Sequence, residues 1–209
     1  RDYAVTGVQT CALPILVCPQ MDASYGLNSD TQNRRKISKD GQLYIDVGRY
    51  EDYFFQEVIP TIESKYTVSK EPKKRSVGGF SMGGHMALRM GFDHPELFGK
   101  IGAHSAPIKT PEVNFTGIIK DTIYPTDDLR AARDPFLMAD NLILKDTLVY
   151  MDIGDEDSSY AIEGMEALYF KLIDSNVQAG FYVGQGGHDA SYISSQIVEY
   201  FRFYGATLD

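Results

Sequence analysis

A serine between glycines is the clearest chemical signal in this sequence of 209 residues. The run Gly-Phe-Ser-Met-Gly at residues 79–83 follows a strand-like segment, residues 76–80, and leads into residues 82–92, whose pattern is helical. In so sharp a strand-to-helix turn the Ser81 hydroxyl is exposed above a sheet, where it can act as a nucleophile. Glycines suit the flanking positions, because a Cβ atom there would clash with the neighbouring strand and helix.

The helix that begins after Ser81 supplies a second chemical element. Its N-terminus favours negative charge, and the backbone N–H of Met82 is placed to donate to an oxyanion that forms when Ser81 attacks a carbonyl carbon. The alternative is a glycine-rich turn in which Ser81 only caps the helix. The strand before it and the helix after it favour the nucleophile.

A serine nucleophile needs a general base, and four histidines are available: His85, His94, His104 and His188. His188 follows directly after the last predicted strand, residues 179–183, and is the candidate base. His85 lies one helical turn after Ser81 and is expected to pack. His94 is expected at a surface helix end. For His104, which ends a predicted strand, substrate contact and a structural hydrogen bond both remain open.

The base in turn needs an orienting carboxylate, and the acidic run at residues 152–157 offers four of them after a predicted strand. Asp152 is expected to lie still within that strand. Asp157, three residues after Gly154, is the first choice, and Asp155 is the alternative. The run could also bind calcium, but it lacks the spacing of an EF-hand loop. We therefore expect no metal and no cofactor.

From residue 16 onward, short apolar runs alternate with amphipathic stretches, which is typical of a parallel α/β sheet. Residues 20–46 are predicted to form a long loop and residues 106–130 an irregular insertion. The remaining predicted elements are strands at residues 16–19 (its end only), 101–104 and 147–153, and helices at residues 50–66, 135–141, 161–173 and 192–204. Pro60 is expected to kink the first of these helices.

Composition excludes two classes of partner. Lys and Arg number 20 against 29 Asp and Glu, so the formal charge is −9, which argues against nucleic-acid binding. No run of 18 apolar residues occurs, so the sequence predicts no membrane span.

Residues 1–15 match the translation of a sequencing-library adapter in every position except Tyr3 and Ala4, which correspond to its variable barcode. We therefore treat them as an artefact and expect the native sequence to start at residue 16. Cys11 falls in this segment, so Cys18 is expected to be the only native cysteine and no intrachain disulfide is predicted.

From residue 16 to its end, the chain resembles an esterase family of the α/β-hydrolase fold that includes esterase D, S-formylglutathione hydrolases, feruloyl and tributyrin esterases, and mycolyltransferases. The residues that carry the likeness are Pro19 and the runs 50–53, 57–60, 79–84, 94–98, 154–157 and 187–189. The resemblance implies a three-layer α/β-hydrolase sandwich with a mostly parallel sheet. It also implies a Ser81 nucleophile, an Asp157 acid and a His188 base, in the chain order of that fold. The family's Gly-x-x-Asp pattern favours Asp157 over Asp155.

The resemblance also implies a departure. Family members carry an upstream strand that ends in a His-Gly loop, which supplies a second oxyanion N–H. Since the matching part starts at residue 16, we expect residues 16–209 to be the C-terminal part of the esterase domain, with a sheet that lacks its first strands. Loss of one oxyanion donor costs on the order of 3 kcal/mol of transition-state stabilisation. An uncovered sheet edge is an aggregation hazard.

The function implied is that of a serine carboxylic ester hydrolase that forms an acyl-enzyme on a small-molecule or carbohydrate-linked ester. One alternative is an acyltransferase, in which a sugar hydroxyl replaces water. Others are a non-catalytic binding protein on the same scaffold and an inactive fragment of such an enzyme. The residues do not identify the substrate-binding positions, and of the compartments the cytoplasm is favoured over secretion.

Overall fold

The computed structural model describes residues 14–113 and 115–206. In chain order its strands are β1 (Arg34–Ile37), β2 (Tyr44–Val47), β3 (Ser76–Phe80), β4 (Lys100–His104), β5 (Leu148–Gly154) and β6 (Gln178–Gly184). Its α-helices are α1 (Tyr50–Asp52), α2 (Ile59–Lys65), α3 (Met82–Asp93), α4 (Gly117–Ile123), α5 (Asp127–Arg133), α6 (Pro135–Met138), α7 (Ser159–Asp174) and α8 (Ala190–Gly205). Short 3₁₀ turns occupy Pro72–Lys74 and Ala139–Asn141.

The centre of the fold is a parallel sheet with the strand order β3-β4-β5-β6. In this register Phe80 lies beside His104, and His104 lies beside Asp152, so the carboxyl ends of three strands meet at one edge. Loops that leave this edge carry the predicted site residues, as is usual in open α/β sheets. Among the described residues, β3 pairs with β4 alone and β6 with β5 alone.

Helices cover both faces of the sheet, so the predicted three-layer α/β sandwich is confirmed. On one face, apolar side chains of β4 and β5 pack against α3 and α7 in the main core, which includes Leu88, Ile101, Met151, Ile153, Met165, Leu168 and Leu172. The alternate residues of the same strands, Tyr150 and Asp152 among them, face α8. This alternation follows from the two-residue period of a strand.

The predicted strands at 76–80, 101–104, 147–153 and 179–183 are confirmed within one residue at their ends. Three other predictions are wrong. Residues 16–19 form no strand and are mostly exposed, and the predicted loop at residues 20–46 contains the antiparallel hairpin of β1 and β2. The predicted irregular insertion at residues 106–130 contains α4 and most of α5.

The hairpin escaped prediction because its strands alternate only weakly in polarity. β1 reads Arg-Arg-Lys-Ile and is largely exposed, whereas β2 buries Ile45 and Val47. Those two side chains pack with Phe115, Ile123 and Tyr124 in a second apolar cluster. The structure of this region therefore depends on contacts between segments far apart in sequence.

The helix predicted over residues 50–66 is present, and Pro60 does disturb it. Pro60 has no N–H to donate and its ring crowds the carbonyl four residues earlier. The turn from Tyr53 to Val58 widens to a π-helix, in which the Ile59 N–H donates to the Phe54 carbonyl oxygen five residues back. The proline is accommodated by this wider turn between α1 and α2.

Most of the adapter-like segment, with Cys11, lies outside the described residues, while Cys18 is exposed and, within the described residues, a free thiol. Within the described ranges, no helix combines the length and apolar character that a membrane crossing requires.

Candidate active site

Ser81 occupies the turn between β3 and α3 in a backbone conformation that few residues adopt. Its φ of 56° and ψ of −121° are left-handed and strained for a residue with a side chain. The Ser81 N–H donates to the His104 carbonyl oxygen at 2.7 Å, and the Ser81 carbonyl oxygen accepts the His85 N–H at 3.1 Å. These two bonds hold the strained turn at the carboxyl edge of the sheet.

The glycines around Ser81 do not all serve the same purpose. A Cβ atom on Gly79 would lie 2.5 Å from the Gly83 carbonyl carbon, so a side chain is excluded there. At Gly83, however, nothing lies within 4 Å of an added Cβ, and the sequence-based expectation of a clash at this position is wrong. The close packing falls instead on Gly84, whose Cβ would lie 3.0 Å from the Gly79 oxygen.

Gly79→Ala and Gly83→Ala form a matched pair that tests this difference. We expect Gly79→Ala to lower the free energy of unfolding by about 1–3 kcal/mol, because backbone atoms must move to admit the methyl group. Gly83→Ala is expected to cause no loss, since its methyl group meets open space on a helix. Urea unfolding of both variants measures the effect, and equal losses would contradict the packing described here.

His188 lies beside Ser81, as required of a base. Its Nε2 is 2.8 Å from the Ser81 Oγ, and its ring packs against Phe80 with ring centroids 4.7 Å apart. The His188 side chain is 43% exposed, so water or a substrate can reach it. It stands on the loop between β6 and α8, which places it above the nucleophile.

Asp157 completes the chain of hydrogen bonds. Its Oδ2 is 2.8 Å from the His188 Nδ1, and its other oxygen accepts the Ser158 N–H at 2.6 Å. Since a carboxylate only accepts, the His188 Nδ1 carries the proton, and Nε2 is free to accept the Ser81 hydroxyl proton. The Asp157 side chain is only 3% exposed, which shields its hydrogen bond to His188 from solvent.

Asp155, the alternative acid, has a different partner. Its Oδ1 accepts the Gly186 N–H at 2.9 Å and so ties the acidic loop to the loop that carries His188. The same two loops touch at Gly154, where an added Cβ would lie 2.1 Å from the Gly186 oxygen. At Gly154, therefore, only glycine lets the loop that carries Asp155 and Asp157 come this close to the loop that carries His188.

Met82 is the first residue of α3. The N–H groups of a first helical turn have no acceptor within the helix, so the Met82 N–H is available to an acceptor outside it. Together with the helix dipole, this arrangement suits a negative charge that develops on a carbonyl oxygen attacked by Ser81.

The other histidines have structural partners. His85 is buried, shares a hydrogen bond of 2.7 Å between its Nε2 and the Tyr124 hydroxyl, and packs edge-on against Tyr25. Burial, assisted by the charge of Arg89, lowers the pKa of His85 to about 3, so its ring is neutral near pH 7. His94 ends α3 at the surface, as predicted.

Of the two roles left open for His104, the structure shows the structural hydrogen bond. Its ring bonds to Asp152 and to the Tyr204 hydroxyl on the face covered by α8, away from Ser81.

Sequence reasoning did not anticipate three contacts of the site. They are the Phe80 ring against His188, the Ser158 N–H on Asp157, and the bonds of Asp152 to α8. The first two involve immediate neighbours of site residues and could have been proposed from position alone. The third joins segments 40 residues apart and has no local signal. Among the described residues, no group of three or more His, Cys, Asp or Glu is arranged to hold a metal ion.

Comparison with known proteins identifies the family of this chain. The family model described as "Putative esterase" matches residues 14–204, most of the chain. The chain belongs to this esterase family. The chain is similar to an acetyl esterase of Caldicellulosiruptor saccharolyticus, with 24% identity over an alignment of 193 residues; the match covers 82% of this chain and 71% of the relative.

Solved structures give the same fold. A ferulic acid esterase is 25% identical with a TM-score of 0.64, over 76% of this chain and 61% of its own. The fluorophosphonate-binding serine hydrolase FphF of Staphylococcus aureus is 19% identical with a TM-score of 0.67, over 90% and 70% of the two chains. The family member described here thus has the α/β-hydrolase fold and spans less than two thirds of the ferulic acid esterase.

Proposed function

We propose that this protein is a serine carboxylesterase in which Ser81, His188 and Asp157 act as the catalytic triad. The observation that carries the proposal is the continuous chain of contacts from Ser81 Oγ to His188 Nε2 and from His188 Nδ1 to Asp157, each 2.8 Å long. Both distances are within hydrogen-bond reach for a nucleophile, its base and the group that orients the base.

The first half of the reaction forms an acyl-enzyme. His188 Nε2 takes the Ser81 hydroxyl proton while Oγ bonds to the ester carbonyl carbon, and the resulting oxyanion accepts the Met82 N–H. Asp157 stabilises the imidazolium ion without taking its proton. The tetrahedral species collapses, the C–O bond to the alcohol breaks, and His188 returns the proton to the leaving alkoxide.

The second half releases the acid. A water molecule reaches His188, whose ring is partly exposed, loses a proton to Nε2 and attacks the acyl carbon. Collapse of the second tetrahedral species breaks the bond to Ser81 Oγ, which takes the proton back. Water, ester, acid and alcohol balance over the cycle, and the chain needs no metal or cofactor for any step.

The substrate class we propose is a small-molecule or carbohydrate-linked ester. The family membership supports an ester, and the names of the relatives, acetyl esterase and ferulic acid esterase, point to acetyl and aromatic acyl groups as the first to test. An acidic chain of net charge −9 fits a neutral ester better than a polyanionic one.

The test uses p-nitrophenyl acetate and a fluorophosphonate. We expect a burst of one p-nitrophenolate per protein molecule followed by slower turnover, and covalent labelling found by peptide mapping on Ser81. Label on another residue, or a cooperatively folded protein with neither burst nor label, would contradict the proposal. A carbohydrate acceptor added to the assay distinguishes the acyltransferase alternative, because acetylated acceptor then appears in place of acetate.

A further inference from the structure

A buried polar cluster on the α8 face of the sheet lies outside the proposed triad. Asp152 on β5 is fully buried and accepts the hydroxyl protons of Tyr192 at 2.9 Å and of Tyr200 at 2.8 Å, both on the same oxygen, Oδ2. Its other oxygen accepts the His104 Nδ1 proton from the adjacent strand. The remaining ring nitrogen of His104 bonds to the Tyr204 hydroxyl at 2.8 Å. We call these five residues the α8 anchor.

The α8 anchor is fully satisfied, which makes it a rigid connection. Burial, and then the charge of Asp152, raises the pKa of Tyr192 and of Tyr200, so both phenols stay protonated and act as donors. Removing one donor from a buried carboxylate leaves a charge with incomplete pairing. The helix is therefore held to the sheet by bonds that resist sliding or rotation.

One member of the α8 anchor lies next to the proposed base. Tyr192 is in the first turn of α8, and its N–H donates to the side chain of Asp189, the residue after His188, at 3.0 Å. Its ring also packs under the loop before His188, because an added Cβ on Gly186 would lie 3.2 Å from it. Tyr192 thus contacts the loop both before and after His188, and its hydroxyl connects this loop to Asp152.

Another member of the α8 anchor contacts the nucleophile turn. The carbonyl oxygen of His104 accepts the Ser81 N–H at 2.7 Å, while its side chain binds Asp152. The α8 anchor is therefore connected to the Ser81 backbone through the His104 carbonyl group, and through Tyr192 to the helix that follows His188.

We propose that Tyr192, through its bond to Asp152, is a positioning residue that sets the distance between His188 and Ser81; this inference rests on the proposed function. A displacement of about 1 Å in a catalytic group can cost about a hundredfold in rate. Asp152 and Tyr192 touch neither substrate nor reacting atoms, and act by holding the loop in place.

Tyr192→Phe and Tyr200→Phe are the matched pair that separates positioning from stability. Each removes one hydroxyl from the same oxygen of Asp152, but Tyr200 lies two helical turns farther from His188. Both variants are expected to lower the unfolding midpoint by similar amounts. Only Tyr192→Phe is expected to lower kcat for p-nitrophenyl acetate, by about tenfold to a hundredfold, with little change in KM.

A readout that needs no turnover keeps this inference distinct from the proposed function. The proton on His188 Nδ1 gives a downfield NMR resonance when it bonds to Asp157, and its absence in His188→Gln assigns it. We expect this resonance in the unsubstituted protein and in Tyr200→Phe, and its shift or loss in Tyr192→Phe. An unchanged resonance in Tyr192→Phe, or equal kcat losses in both variants, would overturn the positioning role. An intact resonance without ester turnover would instead count against the esterase proposal.

Discussion

Ser81→Ala is expected to lower kcat for p-nitrophenyl acetate by about a millionfold, because the proposed mechanism needs the Ser81 hydroxyl to form the acyl-enzyme. The fold should survive the change, since the two backbone bonds that hold the turn do not use the hydroxyl. In the proposed mechanism, the residual rate would come from the Met82 N–H and from substrate binding alone. Initial-rate measurements with purified protein, together with loss of fluorophosphonate labelling, check the expectation.

Ser105→Ala provides the matched control for this experiment. Ser105 follows β4 as Ser81 follows β3, is buried, and has a similar left-handed φ of 48°. Its N–H donates to the Asp152 carbonyl oxygen, so its backbone is also fixed. We expect Ser105→Ala to keep turnover within a few-fold of the unsubstituted protein and to keep full labelling. Turnover retained by Ser81→Ala would sink the assignment of the nucleophile.

Asp157→Asn is expected to lower kcat by about ten-thousandfold with the fold intact. The amide still fits beside Ser158, but its NH₂ group can face His188 Nδ1 and so favour the tautomer that carries its proton on Nε2. In that tautomer the ring cannot accept the Ser81 hydroxyl proton. The imidazolium ion formed during the reaction also loses its buried counter-charge. Single-turnover acylation kinetics measure the loss in the step where it occurs.

Asp155→Asn is the control that separates the two acids. Its amide oxygen can still accept the Gly186 N–H, so the contact between the acid and base loops is retained. We expect only a few-fold change in kcat from this variant. If Asp155→Asn lowered kcat as much as Asp157→Asn, the assignment of Asp157 as the catalytic acid would be contradicted.

The strands of the parallel sheet were predictable where the apolar pattern of a short segment matches the burial of its residues. β5 reads Leu-Val-Tyr-Met-Asp-Ile-Gly and lies between two helical layers, so its apolar run predicts a buried parallel strand. β1, with its three cationic residues, gives no such pattern and forms because β2 and the second apolar cluster hold it. The prediction failed there because packing of β2 against residues far along the chain decided the outcome.

The role of individual glycines shows a similar limit. The pattern Gly-x-Ser-x-Gly places glycines on both sides of Ser81, but the structure shows a steric need at Gly79 and open space at Gly83. A motif records which residues occur, whereas the clearance around a Cβ depends on the neighbouring strand and helix. The pattern therefore predicted the turn but not the reason for each glycine.

By itself, the sequence determined the family resemblance and predicted a nucleophile at Ser81 and the order Ser81, Asp157, His188, because these residues belong to short motifs at the ends of predicted strands. Only the tertiary structure decided how the acidic loop is used, with Asp157 on His188 and Asp155 on Gly186. It alone also revealed the α8 anchor. The physical reason is that these bonds join residues 31 to 100 positions apart, and their distances depend on how the sheet, its register and both helical layers pack.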